Sequence, residues 1–143
     1  MIGLAHCPHA QQRDLRNGYE AALRYYDELK RRYGPDFTEA RRIAQEELMK
    51  KPLDHNNMGD ALRHAEWGRR MVEEINLITS ILAGYGHELE GIRDGQPFSE
   101  TMMDLHNNAV GREAGKQGLP VNPLDLRVIP PGTSYKDTIE DYQ

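Results

Sequence analysis

The sequence contains a single cysteine, Cys7, among 143 residues, so no disulfide bond can form within the chain. Hydrophobic residues make up only 38% of the chain and charged residues 29%, so we expect a hydrophobic core of modest size. A chain of this length normally folds as one domain. We therefore predict a single domain over residues 1–143, and we draw no conclusion about its compartment from the lone cysteine.

Long hydrophobic runs are also missing. The longest, residues 75–82, is interrupted by Asn76, Thr79 and Ser80, and it is far shorter than the ~18 apolar residues of a membrane-spanning helix. The first residues lack the basic and then apolar pattern of a signal peptide. The sequence thus predicts no transmembrane segment and synthesis in the cytoplasm without a signal peptide. Export, if it occurs, would use a specialised secretion route.

There is no excess of positive charge, because the formal net charge is -5. The basic clusters at residues 30–32 and 41–42 alternate with acidic residues at helical spacing, which is typical of a solvated helix face. A nucleic-acid-binding surface requires basic residues concentrated on one face. We therefore predict no nucleic-acid partner.

Residues 10–33 have the clearest helical pattern in the chain. Apolar residues recur there at alternating spacings of four and three, as in the buried seam of a packed helix: Leu15, Tyr19, Ala22, Tyr26, Leu29 and Tyr33. Gly34-Pro35 is expected to end this helix. Asp36 and Glu39 have the spacing of a capping box and predict the start of a second helix, which we expect to pack antiparallel to the first.

Residues 56–82 form the stretch around which the chain is predicted to be organised. Asn57 suits an N-cap, and Asp60 suits the first turn of a helix. Small and apolar residues then recur at spacings of three and four, which indicates the inward side of one helix: Ala61, His64, Ala65, Gly68, Met71, Val72, Ile75, Ile78 and Leu82. The glycines within residues 84–86 are expected to end this helix, which would leave residues 87–90 as a short helical turn.

A further helix is predicted to begin at Phe98-Ser99, with Ser99 as its N-cap, and to end at Gly115 and Gly118. Its apolar side contains residues at helical spacing: Met102, Met103, His106, Ala109 and Val110. Residues 119–143 contain four prolines and are predicted to form an extended C-terminal strap across the helices. Residues 1–9 are predicted to be a flexible N-terminus. Since no pair of strands is convincing, we predict an all-α fold, a compact bundle of about five helices.

Histidines fall on the apolar sides of two of these predicted helices. They are His64 on the central helix and His106 on the later one. A buried imidazole needs hydrogen-bond partners. Asp60 precedes His64 by one helical turn and could therefore fix its tautomer. Arg63 and Trp67 have the same spacing and could stack on each other.

Other polar residues could complete a site around these histidines: His87, Glu88, Asp104, Asn107 and Asn108. Two chemistries suit the set. In the first, a divalent metal such as zinc is held by three histidines and a carboxylate, namely His64, His87 and His106 with Glu88 or Asp104. In the second, no metal is needed, because a histidine made more basic by a carboxylate activates water or a serine. Arg63 or the asparagine amides would then stabilise the developing anion.

These residues carry a resemblance to a largely uncharacterised bacterial family of helical domains. The family pattern reads Asp-Ala-x-Arg-His-x-x-aromatic, then Ala/Gly-His-Glu, then Met-Asp-Leu-x-Asn-Asn-x-x-Gly. This chain matches it at residues 60–67, 86–88 and 103–111, so the resemblance covers about residues 56–112. Members often lie at the C-terminal ends of secreted or toxin-like polypeptides. The resemblance implies a shared site at Arg63, His64, His87, Glu88, Asp104, Asn107 and Asn108, with His106 at a variable position.

We accordingly predict a bacterial toxin-like or effector hydrolase that acts on an ester or amide bond of a phospholipid or a cell-wall polymer. Its catalytic residues would be His64, His87, Glu88 and Asp104. The site would be organised, or the substrate positioned, by Asp60, Arg63, Trp67, Asn107 and Asn108. Expected partners are the macromolecular or lipid substrate and an immunity or delivery protein. The alternative is a non-enzymatic helical binding or assembly protein whose buried network of His, Asp and Asn fixes the register of its helices.

Overall fold

A computed structural model describes the backbone of residues 8–50 and 54–130, and the side chains from residue 16 onward within those ranges. This part of the chain contains five α-helices and no strand, which confirms the predicted all-α fold. The helices are α1 (Pro8–Tyr33), α2 (Thr38–Lys50), α3 (Met58–Glu74), α4 (Leu77–Arg93) and α5 (Phe98–Gln117), and a short 3-10 helix, Pro123–Asp125, follows them. Within the described ranges, no helix is both long and apolar enough to cross a membrane.

The end of α1 and the start of α2 lie near the residues that the sequence predicts. Gly34 has a φ of 54° just after α1 ends, and the Asp36 side chain accepts a hydrogen bond of 2.9 Å from the Thr38 N–H at the start of α2. The expected packing of α1 against α2 is wrong, because α1 contacts α4 more extensively than any other helix. Tyr19 donates a hydrogen bond to the Leu89 carbonyl oxygen of α4.

The central stretch is two helices rather than one. Asn76 begins α4 as its N-cap, since its side chain accepts a hydrogen bond of 2.7 Å from the Thr79 N–H. The predicted break at Gly84 and Gly86 is therefore wrong, and so is the separate turn over residues 87–90, because α4 runs through all of them. A Cβ at Gly86 would lie 2.1 Å from the Tyr26 hydroxyl oxygen, so a larger residue there would displace the Tyr26 ring.

The last helix begins at Phe98, with Pro97 as its N-cap residue. Ser99 lies inside the first turn, so the prediction that Ser99 is the N-cap is wrong. Gly118 ends this helix in the left-handed conformation, with a φ of 67°, as predicted. Gly115, which was also expected at the end, lies within the helix and contacts α3.

Small residues bring α3 and α5 into the most extensive helix contact of the fold. A Cβ at Gly111 would lie 1.9 Å from the Ala65 carbonyl oxygen, and one at Gly68 would lie 2.8 Å from the Asn108 carbonyl oxygen. The two backbones therefore approach closely over several turns. This close approach places Asp104 of α5 opposite the polar face of α3.

The predicted strap is present over residues 119–130, and its backbone is hydrogen-bonded to α5 and to the loop before α3. The Asn107 amide binds both the N–H and the carbonyl of Arg127, each at 2.9 Å. The Ile129 N–H donates to the Asn56 carbonyl at 2.9 Å. Residues 1–7 and 131–143 lie outside the described residues; in the predicted flexible N-terminus, the helix already includes Pro8.

Candidate active site

His64 is the centre of a buried polar cluster between α3 and α5. Its Nε2 lies 3.4 Å from Asp60 Oδ1 and 3.4 Å from Asp104 Oδ1, and its side chain is 11% exposed. Burial by itself would lower the pKa of His64. The hydrogen bond with Asp60 and the charges of Asp104 and Asp60 outweigh that effect, so the pKa of His64 is raised. The ring is thus held in its charged form more strongly than a free imidazole.

Asp60 is fixed in the first turn of α3 by groups around it. It accepts a hydrogen bond of 2.6 Å from the Asn56 N–H and a second from the Arg63 guanidinium, while its own N–H donates to Asn57 Oδ1 at 3.0 Å. Burial favours the neutral acid, but the bonds from His64 and Asn56 and the charges of His64 and Arg63 prevail. The pKa of Asp60 is therefore lowered, and the carboxylate stays ionised.

Glu88 and Asp104 form a second carboxyl pair behind His64, with 2% and 6% of their surfaces exposed. Burial is the main cause that raises the pKa of Glu88 to about 7 and that of Asp104 to about 8. The interaction between the two groups lowers the pKa of Glu88 and raises that of Asp104. Gln96 Nε2 fixes Glu88 Oε1 at 2.7 Å and Thr101 Oγ1 at 2.9 Å. The pair consequently retains protons near neutral pH, where ordinary carboxyl groups are ionised.

His87 lies on α4 at the exposed edge of the same cluster. Its ring centroid is 6.1 Å from that of His64 and 5.8 Å, edge-on, from the Trp67 ring. Desolvation by neighbouring atoms lowers the pKa of His87, and the charge of His64 lowers it further. Trp67 is itself held by a hydrogen bond of 2.9 Å from its Nε1–H to the Ala40 carbonyl. The two histidines are thus biased toward opposite charge states.

A cavity of about 350 Å³ opens beside the two histidines. Its polar lining consists of Arg41, Arg63, His64, His87 and Glu90. Its apolar lining includes Phe37, Ala40, Ala44, Leu48, Trp67 and Ala83, and Tyr26 of α1 and Gly86 complete the wall. The cavity is at the small end of the volume range of ligand pockets. Four helices, α1 to α4, contribute to it, so the site exists only in the folded bundle.

Several metal-ligating groups converge on His64. Among the described residues, one group of three could hold a metal ion: Asp60, His64 and Asp104, whose ligand atoms all lie within 4.8 Å of one another. A cation there would compete with the Arg63 guanidinium for Asp60. The group differs from the predicted zinc set, which lacked Asp60 and contained His87, Glu88 and His106 besides His64 and Asp104. The structure does not bring His106 to the cluster, because its Nε2 lies 2.6 Å from the Asp125 carbonyl oxygen in the strap.

The two predicted asparagines lie on the α5 side of the cluster and do not line the cavity. Asn107 is fully occupied with the strap. Asn108 is 1% exposed, and its side-chain amide makes no hydrogen bond with any residue in the described ranges. Its Nδ2 would lie 3.2 Å from a Cβ at Gly84, so it packs directly against α4. Both residues thus organise the helices around the site.

Sequence reasoning did not find three contributors to this site. Gln96 comes from the loop between α4 and α5, where no periodicity indicates a direction. Tyr26 was recognised as a seam residue, but the seam alone does not say which helix it faces. Arg41 was interpreted as part of a solvated charged face, whereas it also lines the cavity. The apolar residues near Arg41 in sequence, Phe37 just before α2 and Ala44 within it, were the available signal.

The fold and this cluster define an all-α domain with a buried histidine–carboxylate centre at the wall of a small cavity. The chain belongs to the family described as Domain of unknown function (DUF6973), whose model matches residues 36–127. The match contains the whole cluster and α2 to α5, while α1 lies outside it. No solved structure matches the chain.

Proposed function

We propose that this protein is a hydrolase that cleaves an ester or amide bond by acid–base chemistry at His64 and His87. The observation that carries the proposal is the burial of two carboxyl groups, Glu88 and Asp104, next to His64 at the wall of an open cavity. Burying two carboxyl groups costs stability unless both are neutralised or paired. Ionisable pairs whose pKa values are displaced in this way cluster at functional sites.

The two histidines have complementary parts in the proposed reaction. His87 is neutral near pH 7 and exposed, so it accepts a proton from the attacking water. The Arg63 and His64 cations stabilise the oxyanion that forms. His64 Nδ1 is buried without a hydrogen bond to any described residue, so its proton is available to the leaving group. A proton from solvent then returns to His64 Nδ1, and the proton that His87 releases to solvent balances it.

A zinc-assisted form of the same reaction would use Asp60, His64 and Asp104 as ligands. Bound zinc would supply a water with a pKa near 7. This form requires His64 to lose its extra proton and Arg63 to give up part of its contact with Asp60. Elemental analysis of the purified protein, with activity measured before and after EDTA treatment, separates the two forms.

The toxin-like or effector role is a further part of the proposal. It is supported by the three-part motif at residues 60–67, 86–88 and 103–111, through its resemblance to domains at the ends of toxin-like polypeptides. A phospholipid or cell-wall polymer would be the target, and an immunity or delivery protein the partner. Expression in a bacterial host should then arrest growth, and His87→Gln should relieve the arrest.

A structural role for the network is the second candidate. The Asn107 contacts with the strap favour it, because they tie α5 to residues far along the chain and reach no cavity. Under this alternative, changes at the cluster would alter stability, and the protein would have no hydrolytic activity to lose.

The proposed function is tested with a panel of fluorogenic esters and amides. We expect His87→Gln to reduce hydrolysis by about 10²- to 10⁴-fold while the melting temperature stays within about 3 °C, since His87 is exposed and makes no buried hydrogen bond among the described residues. His55→Gln is the matched control, because His55 is 72% exposed and lines no part of the cavity. Full activity of His87→Gln, or no hydrolysis of any panel member by the wild type, would overturn the proposal.

A further inference from the structure

The cavity beside His64 and His87 is divided between two kinds of lining. One wall is apolar and is formed by Phe37, which directly precedes α2, by Ala40 and Ala44 of α2, and by Trp67 of α3. Ala40 is 1% exposed and packs into the core with Phe37 and Trp67. Such a wall gains free energy only from an apolar group, because it offers few hydrogen-bonding atoms. It therefore fits a hydrocarbon chain better than a sugar or peptide backbone.

The other part of the lining is predominantly cationic. Two guanidinium groups, Arg41 and Arg63, face a single acidic residue of the lining, Glu90; Arg63 is also paired with Asp60 behind the wall. Arg41 is exposed and adjoins the apolar α2 residues, so it can meet a charged group while the wall holds a chain. This balance favours a ligand with an anionic end.

From this division of the lining, we infer that the cavity binds an amphiphile with one acyl or alkyl chain and an anionic head. The volume of about 350 Å³ suits a single chain of medium length. The inference rests on the proposed function in one respect: it names the substrate class, an ester or amide of such a chain. Binding itself does not depend on catalysis and can be measured alone.

Trp67 provides the measurement, because it is the only tryptophan of the chain and lines the cavity. Its fluorescence is recorded during titration with decanoate, decyl phosphate, decyltrimethylammonium and octyl glucoside, each below its micelle-forming concentration, with acetate as the head group alone. We expect saturable changes with the two anionic amphiphiles, binding at least about tenfold weaker for the cation, and none with acetate. Comparison of decanoate with decyl phosphate shows whether a carboxylate or a phosphate head is preferred.

Substitutions in the lining test whether the amphiphiles bind in this cavity. Ala44→Phe fills the apolar wall and should weaken decanoate binding by at least about tenfold; Ala109→Phe, on the exposed side of α5, is its control. Leu48→Glu leaves the core intact, since Leu48 is exposed, and adds a repelling charge at the rim. Arg41→Gln should weaken decanoate but not octyl glucoside, and Arg24→Gln on α1 should change neither.

The outcomes separate this inference from the proposed function. Equal binding of the anionic and cationic amphiphiles, or unchanged binding by both Ala44→Phe and Leu48→Glu, would overturn the inference. Hydrolysis of short acetyl esters without any binding of the amphiphiles would overturn the inference but would still support the proposed hydrolase function. Chain binding without hydrolysis would support the inference and refute the proposed function instead.

Discussion

Gly111→Ala is expected to destabilise the protein by at least about 3 kcal/mol, or to prevent folding. The new methyl group would lie 1.9 Å from the Ala65 carbonyl oxygen, a backbone atom that can move only if α3 and α5 separate. Separation would also pull Asp104 away from His64. Chemical denaturation followed by circular dichroism measures the loss of free energy of unfolding.

Gly18→Ala is the matched control, because Gly18 also lies within a helix and a Cβ there meets nothing within 4 Å. Alanine is the better helix former by about 1 kcal/mol, so this variant should be slightly more stable than the wild type. An unaltered stability of Gly111→Ala would mean that α3 and α5 do not approach as described, and the geometry of the site would fail with it.

Asp104→Asn is expected to stabilise the protein at pH 8.5, by about 1–3 kcal/mol, and to have little effect at pH 5. In the folded wild type the pKa of Glu88 is raised to about 7 and that of Asp104 to about 8, from usual values of 4.5 and 3.8. At pH values between the usual pKa and the raised pKa of each group, the unfolded chain binds fewer protons than the folded one. The free energy of unfolding therefore falls as pH rises through this range. Asparagine stays neutral and can still donate to Glu88.

The other shifted groups of the cluster set the rest of the pH profile. The raised pKa of His64 contributes stability that is complete below the usual histidine value of 6.5 and is lost as pH rises through its folded value. The lowered pKa of Asp60 acts oppositely, and its contribution is lost only as pH falls below about 4. Wild-type melting temperatures should therefore be highest near pH 5 and fall toward pH 8.5.

Thermal melts of the wild type and of Asp104→Asn at pH 5 and pH 8.5 check the predicted effect of this substitution. Asp27→Asn, an exposed substitution on α1, should leave the pH profile as it is in the wild type. If Asp104→Asn lowered the melting temperature equally at pH 5 and pH 8.5, the pKa values of the two carboxyl groups would not be raised as described.

Local chemistry made much of α3 predictable. The Asn57 cap, the first-turn Asp60 and its one-turn spacing from His64 all follow from positions a few residues apart. The end of α3 was not predicted, because the apolar spacing continues through Ile75 and hides the break. Asn76 was the available signal, since an asparagine before an apolar segment suits an N-cap.

Contacts between distant segments explain what the sequence could not show. Gly86 looked like a helix breaker, but it lies inside α4 because Tyr26 of α1 leaves no room for a side chain. The pairing of Glu88 with Asp104 depends on how α4 and α5 pack. His106 lies on the predicted side of its helix, yet it meets the strap, whose path no periodicity describes. The residue types thus indicated that a site exists, whereas the packing of the helices determines which residues belong to it.

Histidine pKa values measured by NMR test the central claim most directly, which is that the cluster holds His64 charged and His87 neutral at the wall of one cavity. The Cε1–H signals of labelled protein are followed from pH 5 to pH 9 and assigned with His64→Gln and His87→Gln. The account predicts a pKa for His64 above 6.5 and a pKa for His87 below it. Equal values, or the reverse order, would contradict the assignment of acid and base on which the proposed hydrolysis depends.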